Sequence, residues 1–394
     1  MSFFRSYSKY LYDFNLIAVI TFYSIAVAFV YKSSAAALIN ILAAILLFFS
    51  DEIRRLWTQI FLLPLLLAVI YLILLAVYSP YSKDAYGDVE SLTRAMLVSV
   101  PLLYIAKLPY HIIKKSLVFA VFLLVLLTIF IVLEEIKNIG YVRILNLEGF
   151  FFKTNRNQMG SIFAVSAIYC LILSIHNKKN NFFFIAAMIF FLLVGFINNS
   201  RGAFFATIAV FLIIFACYDW MGMFKKIIIA LLMIFVIFIF YEDKIDFIYH
   251  GDSFDNGRID IWRVYVDKII NAPLLGYGLR GYIDNYSLLL EIPKPLPNYP
   301  HNIYISLLYE TGIIGWFFWF FWFFWVARRI YYTTLLSGDK FLCSVGGGVS
   351  AYILIHGLVD FNFYLFGVFV SLMVGLFFVF MKIDKNKKVL LIQD

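Results

Sequence analysis

The sequence predicts an all-α integral membrane protein of about twelve transmembrane helices, with one long loop containing amphipathic helices on the non-cytoplasmic side. Composition, span length and charge sidedness each point there. Of 394 residues, 63% are hydrophobic and 14% charged, and the mean hydropathy is +0.90. A soluble domain of this length needs far more polar side chains to cover its surface. Apolar runs of roughly 17–25 residues recur along the chain, the length that crosses about 30 Å of hydrocarbon.

Spans are expected near 15–31, 34–50, 58–78, 92–108, 114–133, 159–175, 181–197, 202–218, 225–241, 303–325, 341–358 and 363–381. With the N-terminus inside, every inside loop carries a basic pair or cluster: Arg54/Arg55, Lys114/Lys115, Lys178/Lys179, Lys225/Lys226, Arg328/Arg329 and the Lys382–Lys388 tail. The short outside loops are sparse or acidic, as at Asp84, Asp88 and Glu90. This alternation sets orientation; one miscounted helix would break it downstream. Both termini are therefore expected in the cytoplasm. The first apolar run is long and lacks a small-residue cleavage site, unlike a removable signal peptide.

The net charge of +8 is explained by this loop bias and does not indicate a nucleic-acid partner. Cys170, Cys217 and Cys343 are too dispersed for a disulfide framework or a metal site. The chain reads as a single polytopic domain, 1–394, with outer segments at about 134–158 and 242–302. The second is by far the longer, and a long loop that is not low-complexity is usually functional. Trp262, Tyr265 and Tyr277 suggest that it folds against the membrane. Within it a helix is expected from about 257 to 271, with Ile259, Trp262, Val266 and Ile269/Ile270 at helical spacing and Pro273 as its stop. The simplest disposition is flat on the bilayer surface.

Basic residues mark the outer ends of several elements. Arg201 opens the eighth span, where Asn199 or Ser200 supplies a cap. A cation is unfavourable at a helix N-terminus by about 0.3–1 kcal/mol unless an anion lies between charge and dipole. Guanidinium groups and helix N-termini both bind phosphate. A snorkelling interface arginine is the ordinary alternative. Arg258 opens the loop helix, and Arg263 and Arg280 follow it; singly, each is an ordinary solvated loop arginine. His301 begins the tenth span. An imidazole at that position is a candidate proton acceptor. Asp360 is the remaining outer-edge carboxylate.

No P-loop, G-x-S-x-G or carboxylate set with metal spacing occurs. The spans hold almost no ionisable residue at mid-depth, where coupled transporters need them, and no inverted repeat is visible. These absences weigh against a transporter or lipid-linked oligosaccharide flippase, the alternative from another class.

Three segments around the long loop, "NNSRGAFFA", "GRIDIWRVYVDKIINAPLLGYGL" and "PHNIYISLLYETGIIG", together resemble the O-antigen ligase and polymerase superfamily of bacterial inner-membrane glycosyltransferases. The resemblance covers roughly 150–375. It implies a metal- and ATP-independent, inverting transfer on the periplasmic face, in lipopolysaccharide biosynthesis, with no cofactor. The donor would be undecaprenyl-diphosphate-linked O-antigen and the acceptor lipid A–core. By the same resemblance Arg201 and Arg258 would bind the diphosphate, with Arg263 and Asn302 beside them. His301 would be the general base and Asp360 a supporting residue. A single dominant outer loop suits the ligase, and a polymerase joining lipid-linked repeats is the alternative. The aromatic run "WFFWFFWFFW" (316–325) is expected to line a groove for the polyprenyl tail or to face lipid. Oligomeric state is left open.

Overall fold

The computed structural model describes residues 67, 69–77, 79, 85–87, 89, 110–139, 156–177, 181–198, 200–218, 258–279, 281, 300–337 and 340–359. The expected spans at 15–31, 34–50, 92–108, 225–241 and 363–381 lie outside these residues, as do Arg280 and Asp360. Every named element is a helix: α1 (Tyr110–Ile139), α2 (Arg156–His176), α3 (Asn181–Ile197), α4 (Arg201–Tyr218), α5 (Arg258–Asn271), α6 (Ile303–Ser337) and α7 (Lys340–His356). Among the described residues, Met159–His176 and Ile303–Trp325 are long and apolar enough to cross a membrane.

Helix α2 is the centre. Its residues from Phe163 to Ser174 are buried all round, the pattern of a helix enclosed by other helices. It touches α1, α3, α4 and α7. Helix α3 meets it through Phe184, Ala187, Phe191 and Val194, at three- and four-residue spacing. Close approach of α7 depends on a small residue: a Cβ on Gly348 would lie 3.2 Å from both Ile168 and Ile214. Hydroxyls on these apolar helices bond back to their own backbone, Ser166 to Ile162 O and Thr207 to Ala203 O, each at 2.7 Å. The outer faces carry Leu126, Phe130 and Leu133 on α1 and Phe317, Phe321 and Phe324 on α6, all exposed. A surface this apolar is suited to hydrocarbon rather than to water.

The two ends of the bundle differ. At one, Lys114 Nζ donates to the His176 carbonyl (3.2 Å), and the His176 ring meets Phe341 edge-on. The start of α1, the end of α2 and the start of α7 therefore share that end. At the other, Ser200 rests on Gly160, and Gly202 rests on His356 and Val359. The starts of α2 and α4 and the turn after α7 gather there, in the up-and-down order expected from the sequence.

Helix α6 departs from expectation. The span at 303–325 is read from hydropathy as uninterrupted, but its backbone breaks at Gly312 (φ 62°, ψ −172°). The groups freed by the break are bonded by the chain after α5. Tyr277 N donates to Tyr309 O (2.8 Å) and Gly278 N to Glu310 O (3.0 Å), while Ile313 N donates to Pro273 O (2.8 Å). Broken helices persist in apolar surroundings only when their peptide groups find such partners. Gly276 (φ 69°) faces Gly312, and a Cβ on Gly276 would come within 2.5 Å of Tyr309 O.

Candidate active site

Helix α6 starts at a residue built for the purpose. Asn302 Oδ1 accepts from Tyr304 N (2.9 Å) and Ile305 N (3.1 Å), an N-cap, while its Nδ2 donates to Leu358 O (3.0 Å). Ile303 N donates to Gly357 O (2.8 Å). The start of α6 is thus bonded to the turn that ends α7. The same turn closes against α4, because a Cβ on Gly202 would lie 3.0 Å from Val359 Cγ2 and 3.4 Å from the His356 ring. Gly202 is next to Arg201, and Asn302 next to His301. The structure therefore brings the backbone neighbours of Arg201 and His301 against one turn, at one end of the bundle. Asp360, which follows Val359 in sequence, lies outside the described residues, and so does the Arg201 side chain.

Helix α5 enters the same neighbourhood. It starts at Arg258, as the sequence predicts. Trp262, one turn on and on the same face, donates its indole Nε1 to Pro300 O (2.8 Å), the residue before His301. Arg258 is half-buried on that side. Arg263 is not brought to it: it pairs with Asp260 at 3.3 Å on the outward side of α5, its side chain 76% exposed.

His301 has φ 47°, and among the described residues it is the single non-glycine in the left-handed region. Histidine tolerates that region better than branched residues do, at some cost in backbone energy. Residues held this way cluster at functional sites. The other expected cap of α4, Asn199, lies outside the described residues; Ser200 Oγ is buried against Gly160 without a hydrogen-bond partner and so does not itself occupy the N–H groups of the first turn. An anion at that end would meet them.

Two aromatic residues of the loop, Tyr265 and Tyr277, pack on α6. Tyr309 is 1% exposed. Tyr277 stacks on it with centroids 4.7 Å apart, and Tyr265 meets it edge-on at 4.8 Å. The aromatic run of α6 has two faces. Trp316, Trp319, Phe320 and Phe323 line an apolar cleft with Ile303, Tyr304 and Ile353, beginning beside the start of α6, whereas Phe317, Phe321 and Phe324 point outward.

Sequence reasoning missed several residues here. His356 is buried at the junction of α4 and α7, stacked on Tyr352 (5.3 Å, 13°), whose hydroxyl donates to Ser161 Oγ at 3.1 Å. It stands four positions before Asp360, in "HGLVD", a spacing that could have drawn attention to it. Glu310 is a carboxylate within the expected tenth span, only 4% exposed. Gly276 and Gly312, in "LLGYGL" and "YETGIIG", carried no chemical signal. Among the described residues no three His, Cys, Asp or Glu side chains gather as a metal site.

Residues 186–320 match the family model for O-antigen ligase. The matched segment contains Arg201, Arg258, His301 and both glycines of the α6 break. Shorter stretches align with candidate polysaccharide ligases of Rickettsia. The Rickettsia conorii protein is 42% identical over 65 residues, covering 15% of this chain and 16% of its own length. Those of Rickettsia typhi and Rickettsia prowazekii are each 40% identical over 65 residues, with the same coverage. The chain thus aligns with about one sixth of the length of these relatives. The O-antigen ligase match falls on the part of the fold where α4, α5 and α6 begin.

Proposed function

We propose that the protein is a glycosyltransferase of the O-antigen ligase type. It moves O-antigen polysaccharide from undecaprenyl diphosphate to lipid A–core on the periplasmic face of the inner membrane. One observation carries this reading: the starts of α4, α5 and α6 meet at one end, through the turn after α7 and the Trp262–Pro300 bond.

In the proposed step an acceptor hydroxyl oxygen attacks the anomeric carbon from the face opposite the diphosphate. A C–O bond forms as the bond to the diphosphate oxygen breaks, inverting the carbon. The hydroxyl proton passes to His301, and the bonding electrons leave with undecaprenyl diphosphate. Arg201, Arg258 and the first-turn N–H groups of α4 neutralise the departing charge. Holding both reactants lowers the entropic part of the barrier, and the base and the charge-stabilising groups supply the remainder. The cleft between α6 and α7 takes the first isoprene units of the tail. Asn302 serves the site by fixing where α6 begins, and Asp360 supports it from the end of the α7 turn.

Gene deletion read on a lipopolysaccharide gel tests the reading. Loss of a ligase leaves lipid A–core without O-antigen while lipid-linked chains accumulate. Core capped by a single repeat would instead mark a polymerase, and an unchanged ladder would remove both.

A further inference from the structure

Helix α5 presents three sectors, of which the packing described above uses one. Ile261 and Tyr265 are buried against Tyr309, and Trp262 is tied to Pro300. At 100° per residue, Ile259, Val266 and Ile270 fall within about 40° of one another on a different side. All three are exposed, Ile270 to 69%. Asp260, Asp267 and Asn271 form a third sector, exposed and polar, with Arg263 at the border between the apolar and polar sides.

The apolar sector is continuous with a face already suited to hydrocarbon. Beyond Ile270 the chain continues through Leu274 and Leu275, 63% and 56% exposed. Ile313 N and Ile314 N bond to the carbonyls of Pro273 and Leu274. Ile313 and Ile314 are themselves exposed, one turn before the outward Phe317 of α6. An unbroken apolar strip therefore runs from the outward face of a membrane-length helix onto the loop helix.

We infer that α5 is seated at the edge of the bilayer, with Ile259, Val266 and Ile270 among the acyl chains of the surrounding lipid. Its acidic sector faces water, and Arg263 lies at headgroup level, where phosphates compete for its pairing with Asp260. Tyr265 packs on Tyr309 of α6 and Trp262 is tied to Pro300 just before it, so lipid contact on the other side of α5 sets the depth of Arg258 and His301 relative to the bilayer. The inference rests on the membrane reading of the chain and not on the transfer chemistry.

Spin labels placed singly at Val266→Cys, Ile270→Cys, Asp260→Cys and Asp267→Cys test it. They are introduced into the full chain with its native cysteines replaced, in liposomes of phosphatidylethanolamine and phosphatidylglycerol. Collision with lipid-soluble oxygen should exceed collision with a water-soluble nickel chelate at 266 and 270, and the order should reverse at 260 and 267. Nickel dominance at all four sites would mean that α5 stands clear of the bilayer, and the inference fails. It fails equally if the labels at 266 and 270 are shielded from both reagents, since another protein surface then covers them. Hydroxyl-radical labelling of the unmodified protein in nanodiscs asks the same question without the cysteine changes. Protection of Leu274 and Leu275 supports the inference, and heavy oxidation of both overturns it.

Discussion

At His301 the backbone turns through the left-handed region between a proline and a helix cap, so the imidazole stands just outside the α6 N-terminus. That placement makes a specific kinetic demand. His301→Ala should insert normally yet lower transfer by about 100-fold or more, the contribution typical of a general base. Full transfer by this variant in a reconstituted assay would remove His301 from the proton step. Asn302 makes a different demand. Asn302→Ala should cost about 1 kcal/mol for the lost cap, with a further loss from the bond to Leu358, whereas Asn302→Ser should keep much of the cap. Thermal unfolding in detergent distinguishes them, and equal stability of all three proteins would contradict the capping role. The placement of these residues at helix starts was legible in the sequence, because a His or Arg before an apolar helical run is a local pattern. Their partners were not. Leu358 is 56 positions from Asn302, and the buried imidazole of His356 gains meaning only when Gly202 is found against it.

At the scale of elements, the join between α6 and the chain after α5 decides whether Arg258 and His301 keep a fixed separation. It rests on two glycines with positive φ in mutual contact and on a tyrosine enclosed by two others. Gly312→Ala should destabilise by about 1–3 kcal/mol from a backbone conformation (φ 62°, ψ −172°) essentially confined to glycine, before the overlap with Leu274 O and Leu275 N is counted. A melting temperature equal to the parent's would show that α6 is not broken there. Tyr309→Phe should be mild, losing one bond to Gly281 O at 3.3 Å, while Tyr309→Ala opens a cavity costing about 3–5 kcal/mol. Helix α5 was legible almost to the residue, since its spacing and stop signals are local. The break in α6 was not, because hydropathy sees the apolar side chains and is blind to a backbone that kinks at one glycine. For the same reason the packing of Tyr265 and Tyr277 on Tyr309 was not legible in the sequence.

At the scale of the molecule, the described helices share two ends, with Lys114, His176 and Phe341 at one and Gly160, Gly202 and Asn302 at the other. The end proposed to receive an anionic, lipid-linked donor is the one where α4, α5 and α6 begin, with Arg201, Arg258 and His301 at or beside their first residues. If arginines and helix dipoles carry the leaving-group charge, a chelator should leave transfer unchanged; strict dependence on a divalent cation would assign that charge to a metal instead. The most direct measurement is a cryo-EM map of the protein in nanodiscs with undecaprenyl diphosphate bound. The account predicts the diphosphate against the first turn of α4, contacted by Arg201 and Arg258, with His301 on the same side of the membrane and open to the same cavity. A diphosphate bound elsewhere, or Arg201 and His301 facing opposite leaflets, would contradict it.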